Sequence, residues 1–185
     1  MIINSLSMKD FQCYYGEHED NHFDFTSGLN LIIGANGAGK SKLYDAFYWV
    51  LNDQIFLSDR REFVFTKSYT HKLVSDKAKR ECSIGETVSA EVTIRATSAY
   101  DKEYRVTRIF RVMKTGGNEW ECGSKSMLII EEMNIVHWSP INASEHNKIL
   151  ERIIPSSIKP YMWFQGERCL STKLSDFSHA TLGNF

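Results

Sequence analysis

Residues 34–41 read GANGAGKS and match the pattern G-x-x-x-x-G-K-S/T at every fixed position. The residues before them, 29–33 (LNLII), form a short apolar run that is typical of a buried strand. After them, apolar residues recur at positions 43, 46, 47, 50 and 51, which predicts a helix over 40–51 with one apolar face. A strand, a glycine-rich loop and a helix in this order are the setting of a phosphate-binding loop.

The motif assigns a role to each part of this loop. The predicted nucleotide-binding residues are Gly34, Ala35, Asn36, Gly37, Ala38, Gly39, Lys40, Ser41 and Lys42. The backbone N–H groups and the N-terminus of the helix favour an anion. Lys40 would reach the β- and γ-phosphates, Ser41 would coordinate magnesium, and we expect Lys42 to point away from the phosphates or to graze them. The alternative is a glycine-rich turn that binds nothing.

The composition is that of an ordinary soluble domain. The 185 residues are 42% hydrophobic and 24% charged, with a net charge of −1. The sequence shows neither a signal-peptide pattern nor an apolar run of membrane-spanning length, so we expect a cytoplasmic, nucleoid-associated protein without membrane contact. Four widely spaced cysteines, Cys13, Cys82, Cys122 and Cys169, are predicted to be reduced thiols.

Several other segments have a clear period. Alternation predicts strands over 2–10, 88–95 and 104–112, where Arg108 is the one charged residue on the apolar parity. Residues 115–118 (TGGN) predict a hairpin turn, residues 127–130 another strand, and residues 142–152 a helix. Residues 161–164 predict a buried strand that ends at Gln165, and residues 52–85 read as irregular and polar.

One stretch concentrates positive charge. Residues 59–80 hold seven lysines and arginines against three acids, a local charge of about +4. A solvated loop and a surface that contacts nucleic-acid phosphates both fit this pattern.

The order of these features indicates which class of phosphate-loop protein the sequence resembles. A GTPase would carry an N-K-x-D motif and a small-molecule kinase a D-R-Y/H/S-type motif, and neither occurs. Residues 28–46 (GLNLIIGANGAGKSKLYDA) resemble the corresponding stretch of SMC proteins and SbcC-like double-strand-break-repair ATPases. Residues 6–14 (LSMKDFQCY) resemble the opening strand and turn of that family, and residues 164–167 (FQGE) resemble its Q-loop.

The resemblance covers essentially the whole chain and implies a specific fold. That fold is an α/β P-loop NTPase, an ABC-ATPase-like N-terminal lobe with a mixed sheet, an antiparallel β layer and flanking helices. Residues 1–168 would form this lobe, and residues 169–185 would begin the connection to a coiled coil. Residues 153–167 are similar to one branch, the SMC-like ATPases of anti-phage defence systems coupled to DNA phosphorothioation.

The resemblance also implies a mechanism. ATP and magnesium would lie between the phosphate loop of one head and a signature motif of another, in a head-to-head homodimer. Lys40 and Gln165 would be catalytic, Ser41 and Gln165 would hold magnesium, and residues 11–15 and 63–70 would lie near adenine. Double-stranded DNA and a partner nuclease are the implied partners.

This chain differs from a complete head of the family because the sequence shows no signature motif, Walker B segment or heptad tract. Residues 127–132 (MLIIEE) imitate a Walker B segment, but they precede the Q-loop and fit an ordinary strand with exposed acids better. A C-terminal lobe, in the same or another chain, would supply the missing carboxylate. Two functions remain open, an ATPase head and a nucleotide-binding switch that controls a nuclease with little hydrolysis.

Overall fold

The computed structural model describes residues 2–57, 62–65, 72–123 and 125–157. The helices are α1 (Lys40–Asn52), α2 (Asp76–Glu81) and α3 (His146–Ile153), the last preceded by a 3-10 turn at Ala143–Glu145. The strands are β1 (Ile2–Lys9), β2 (His22–Asp24), β3 (Gln54–Leu57), β4 (Glu62–Phe65), β5 (Thr87–Thr97), β6 (Glu103–Lys114), β7 (Trp120–Cys122), β8 (Met127–Asn134) and β9 (His137–Pro140).

Seven of these strands form one antiparallel sheet. Its order is β2-β1-β5-β6-β8-β9, with β7 paired to the end of β6 across the predicted TGGN turn. The alternation in β5 and β6 sets their register, so that Ile94 lies opposite Val106 on the inner face. Because side chains alternate across a strand, the apolar residues of both strands share this face.

Helix α1 covers the inner face of this sheet. Its buried side chains include Leu43, Trp49 and Val50, which belong to the same core cluster as Val92 and Phe110 of the sheet. Burying one side chain of this size contributes roughly 1.5–3 kcal/mol. The core therefore fixes α1, which begins at the glycine-rich loop, against the antiparallel sheet.

The strands predicted over 2–10, 88–95, 104–112 and 127–130 and the helix over 40–51 are confirmed. The helix predicted over 142–152 forms as the 3-10 turn followed by α3, and Ile149, Leu150 and Ile153 are buried as its period requires. The Walker B-like segment is an ordinary strand, β8, whose Glu131 forms an ion pair with Arg105 on β6.

The prediction of a buried strand over 29–33 is wrong for this structure. These residues are in neither a strand nor a helix, and Leu29, Leu31 and Ile33 are 93%, 78% and 83% exposed. A strand needs a neighbour for its backbone N–H and C=O groups. The sheet strands pair with one another, and in the described part of the chain none is placed beside residues 29–33.

The interpretation of residues 52–85 as irregular is also wrong in part. Strands β3 and β4 pair as an antiparallel hairpin, and helix α2 begins at a Ser75 cap. The hairpin packs through Phe63, whose ring stacks on Tyr48 of α1 at a centroid distance of 3.9 Å. Aromatic contacts with α1 hold this hairpin, and such contacts leave little periodic signal in a four-residue strand.

Candidate phosphate-binding site

Two glycines shape the loop between residue 34 and helix α1. Gly37 and Gly39 adopt left-handed backbone conformations, with φ of 83° and 90°. Side chains make this region unfavourable for other residues. Gly39 is the N-cap of α1, and Gly37 and Gly39 therefore occupy positions where the backbone path favours glycine.

The N-terminus of α1 is open to an anion. It has no side-chain cap and no acidic residue in its first turn, whereas α2 has a Ser75 cap and Asp76. Within the described residues, the N–H groups of Gly37, Gly39, Lys40 and Ser41 donate no hydrogen bond to the protein. Unpaired N–H groups at a helix N-terminus are the donors that bind phosphate. The loop therefore fits the phosphates that its motif predicts.

The ammonium group of Lys40 lies inside the loop. Its Nζ donates hydrogen bonds to the carbonyl oxygens of Gly34 at 2.6 Å and of Ala35 at 2.8 Å. Phosphate oxygens carry more negative charge than these carbonyls and can replace them as acceptors. The ammonium of Lys40 is thus positioned at the loop by its backbone carbonyls.

The next two residues, Ser41 and Lys42, have different surroundings. Ser41 is exposed in the first turn of α1, where a hydroxyl can reach a cation held at the loop. Lys42 instead forms an ion pair with the buried Asp45 one turn along the helix, with Nζ 3.1 Å from Oδ2. This contact gives the Lys42 ammonium a partner on the helix, and its predicted place relative to the phosphates stays a prediction.

A neighbouring loop packs against the end of the phosphate loop. A Cβ placed on Gly39 would lie 3.1 Å from Sγ of Cys13 and 3.2 Å from the hydroxyl of Tyr14. Tyr14 donates a hydrogen bond from this hydroxyl to the carbonyl oxygen of Gly39, at 3.1 Å. Burial raises the pKa of the Cys13 thiol and raises the pKa of Tyr14 to about 12, so both groups keep their protons at neutral pH. Sequence reasoning missed this contact because nothing in the spacing of residues 14 and 39 signals it.

Other predicted site residues are not tested by the geometry. Gln165 and residues 66–70 lie outside the described residues, so the roles predicted for them stay predictions. In the part of the chain that the structure describes, no group of three or more metal-ligating side chains is placed to hold an ion. Cys13, Cys82 and Cys122 are free thiols, as predicted, and Cys169 is outside the described part.

A second concave surface lies on the sheet face opposite α1. It forms an open depression of about 720 Å³ lined mainly by polar side chains. His18 contacts Oγ of Ser7 at 3.1 Å and the carboxylate of Glu91 at 3.7 Å, and the neighbouring imidazole lowers the pKa of Glu91. Arg105 binds Glu131 through two hydrogen bonds of 2.6 and 2.8 Å. Arg105 and Glu131 neutralise one another, which distinguishes the surface from the phosphate loop.

None of the helices within the described residues is long and apolar enough to cross a membrane.

Known proteins resemble this chain in sequence. A family model described as an AAA domain matches residues 5–155. The chromosome partition protein Smc of Rhodopirellula baltica is 23% identical over 166 residues, which cover 85% of this chain and 13% of that protein. The DNA double-strand break repair Rad50 ATPase of Thermoplasma volcanium is 39% identical over 61 residues, 33% of this chain and 6% of that protein.

The DNA replication and repair protein RecF of Salinibacter ruber is 30% identical over 67 residues, 36% of this chain and 15% of that protein. This chain therefore spans only a small part of the length of these curated relatives. The relatives are named for chromosome partition and DNA repair, and the match to the family model covers most of the chain. The chain belongs to the AAA domain family and corresponds to the N-terminal region of SMC-like ABC ATPases.

Proposed function

We propose that this chain binds magnesium ATP through residues 34–42 and is the nucleotide-binding half of an ATPase head. The observation that carries the proposal is the uncapped N-terminus of α1, where, within the described residues, backbone N–H groups lack partners and the ammonium of Lys40 is bonded to the same loop. An uncompensated cluster of donors at a helix N-terminus favours a polyanion such as a triphosphate.

Each residue of the loop has a different role in the proposed reaction. Lys40 neutralises negative charge on the γ-phosphoryl group as it is transferred, because its ammonium can leave the Gly34 and Ala35 carbonyls for phosphate oxygens. Ser41 and Gln165 would hold magnesium, which when bound neutralises charge on the β- and γ-phosphates. Gln165 would also orient the attacking water.

The second part of the proposal concerns a partner lobe. Residues 29–33 expose four large apolar side chains next to the loop, and within the described residues their backbone has no strand beside it. Exposed apolar surface of this kind favours association. A C-terminal lobe, in the same or another chain, would cover it and supply the catalytic carboxylate. Two such heads would then enclose ATP in a head-to-head homodimer.

The setting of this ATPase would be DNA. Relatives named for chromosome partition and for double-strand break repair support double-stranded DNA as a partner. A partner nuclease, and a role in repair or in anti-phage defence such as the phosphorothioation-linked branch, complete the proposal. In the alternative, the chain is a nucleotide-binding switch that controls the nuclease and hydrolyses little ATP.

A Lys40→Ala variant tests the nucleotide site. A charge-assisted hydrogen bond contributes about 1.5–3 kcal/mol, so we expect ATP affinity to fall by roughly 10- to 100-fold. Isothermal titration of both proteins with ATP and magnesium measures the loss. Lys148→Ala, an exposed lysine on α3, is the matched control and should bind as the wild type does.

Hydrolysis then separates the two functions. Addition of a C-terminal half that carries the Walker B carboxylate should start ATP turnover in the wild-type chain and not in Lys40→Ala. Binding without turnover in that mixture would favour the switch. Wild-type protein that does not bind ATP would contradict both.

A further inference from the structure

We infer that Tyr14 is a positioning residue of the phosphate loop, whose hydroxyl anchors the peptide group between Gly39 and Lys40. The inference rests on the proposed nucleotide site. The peptide bond is planar and trans, so the carbonyl of Gly39 and the N–H of Lys40 point in opposite directions. A group that holds the carbonyl therefore also aims the N–H at the anion.

The contacts of the Gly39 carbonyl show how firmly it is held. Its oxygen accepts hydrogen bonds from the backbone N–H groups of Lys42 at 2.8 Å and of Leu43 at 3.0 Å. The hydroxyl of Tyr14 is the third donor, at 3.1 Å. The two helical bonds are local to α1, whereas Tyr14 joins this peptide to a different part of the fold.

Tyr14 is itself fixed from two sides. Its ring meets Phe23 of β2 edge to face, at a centroid distance of 5.9 Å and an angle of 84°. Its N–H donates to the carbonyl of Phe11 at 2.8 Å, and the ring of Phe11 stacks on Trp49 in the last turn of α1. The hydroxyl is thus supported by both the sheet and the helix that it helps to orient. Because burial raises the Tyr14 pKa to about 12, the hydroxyl stays a donor at neutral pH.

The loop that presents Tyr14 carries backbone strain. Asp10 and Gln12 adopt left-handed conformations, with φ of 46° and 52°, and Oε1 of Gln12 is buried without a hydrogen-bond partner. The backbone of this loop is held by bonds of 2.7 Å from Gln12 N–H to Leu73 and from Ser75 N–H to Asp10. Backbone strain that the surrounding structure holds in place is found most often at functional sites. Here it places Tyr14 and Cys13 directly against Gly39.

A Tyr14→Phe substitution in the full chain tests the inference. Phenylalanine keeps the ring against Phe23 and removes only the hydroxyl. We expect the affinity for ATP with magnesium to fall about threefold to tenfold, the range for loss of one neutral hydrogen bond. Because the effect acts through the loop, the affinity for inorganic tripolyphosphate should fall by the same factor. Isothermal titration with ATP and with tripolyphosphate measures, for each ligand, the ratio of the wild-type affinity to the variant affinity.

Each outcome has a separate meaning. A loss for ATP with none for tripolyphosphate would overturn the inference and assign Tyr14 to the base. Equal affinities of Tyr14→Phe and wild type would also overturn it, and a wild type that binds neither ligand would overturn the proposed nucleotide site instead. Tyr100→Phe, on an 83% exposed residue in the β5–β6 turn, is the matched control and should bind both ligands unchanged. A role in folding alone would lower the thermal midpoint of Tyr14→Phe and leave both affinities unchanged in the folded protein.

Discussion

At the scale of single residues, the two left-handed glycines of the phosphate loop have different surroundings. A Cβ on Gly37 would meet no atom within 4 Å, because that residue is at the open tip of the loop. A Cβ on Gly39 would press on Cys13 and Tyr14 at 3.1–3.4 Å. Gly37 is therefore needed for its backbone conformation alone. Gly39 is needed for its backbone conformation and because Cys13 and Tyr14 lie too close to leave room for a side chain without shifting.

The pair Gly37→Ala and Gly39→Ala tests this difference. The left-handed conformation costs an alanine roughly 1–2 kcal/mol at either position. At Gly39 the contact with the neighbouring loop adds to this, so we expect Gly39→Ala to lose more stability than Gly37→Ala. Urea unfolding followed by circular dichroism gives both free energies of unfolding. Equal losses in the two variants would mean that the neighbouring loop yields to the added methyl group.

At the scale of elements, helix α1 is held at both ends. Its C-terminus contacts Arg108 of β6, a 6% exposed residue on the apolar face of the sheet. Nε of Arg108 donates to the carbonyl of Val50 at 3.0 Å, and its guanidinium donates to Ser126 at 2.9 Å and lies 3.7 Å from Asp53. Burial lowers the pKa of Arg108, and the nearby carboxylate of Asp53 partly offsets this effect. The lowered pKa reflects the loss of hydration of the guanidinium, which its hydrogen-bond partners must compensate. The arginine joins the helix end to the core of the sheet.

Replacing Arg108 should therefore destabilise the protein strongly. Arg108→Ala leaves the carbonyl of Val50 without this donor and removes a buried charge next to Asp53, and we expect a loss of about 3 kcal/mol or more. Arg95→Ala is the matched control, since Arg95 lies on the outer face of adjacent β5, is 48% exposed, and pairs with Glu103 at 3.7 Å. We expect Arg95→Ala to lower the free energy of unfolding by less than about 1 kcal/mol. Similar free energies of unfolding for the two variants would contradict an anchoring role for Arg108.

At the scale of the whole molecule, net charge and local charge differ. The chain carries −1 overall, yet residues 59–80 are basic. The structure describes the end of this stretch, where Lys77 and Arg80 are exposed on α2. Lys79 pairs with Asp76 at 2.7 Å, and Nζ of Lys77 lies 3.9 Å from the centre of the Tyr15 ring. Local pairing therefore reduces the positive charge that this helix can offer to DNA.

Charge reversal on α2 tests the proposed DNA contact. If Lys77 and Arg80 each neutralise one phosphate, Lys77→Glu combined with Arg80→Glu should flatten the salt dependence of DNA binding by about 1.8 in slope. Fluorescence anisotropy with duplex DNA at several salt concentrations measures the slope. Lys148→Glu combined with Arg152→Glu, two exposed residues on α3, is the matched control. An unchanged slope in the α2 variant would remove this helix from the DNA interface.

The sequence by itself determined the phosphate loop, helix α1 and the long alternating strands. These features depend on contiguous residues: glycines where the backbone needs positive φ, and apolar positions with the period of a helix or a strand. The period also marked Arg108 as the exception on its strand, although it did not show why. The short β3–β4 hairpin was missed because aromatic contacts with α1 stabilise it.

Only the tertiary structure decided what surrounds the loop. The contact between Tyr14 and Gly39 spans 25 positions and that between Arg108 and Val50 spans 58, so no local pattern encodes either one. The exposure of residues 29–33 was likewise beyond the sequence, since an apolar run predicts burial and only the sheet order shows that no described strand lies beside it. Local stereochemistry fixes which segments can form a phosphate loop, and long-range packing fixes which residues hold it in place.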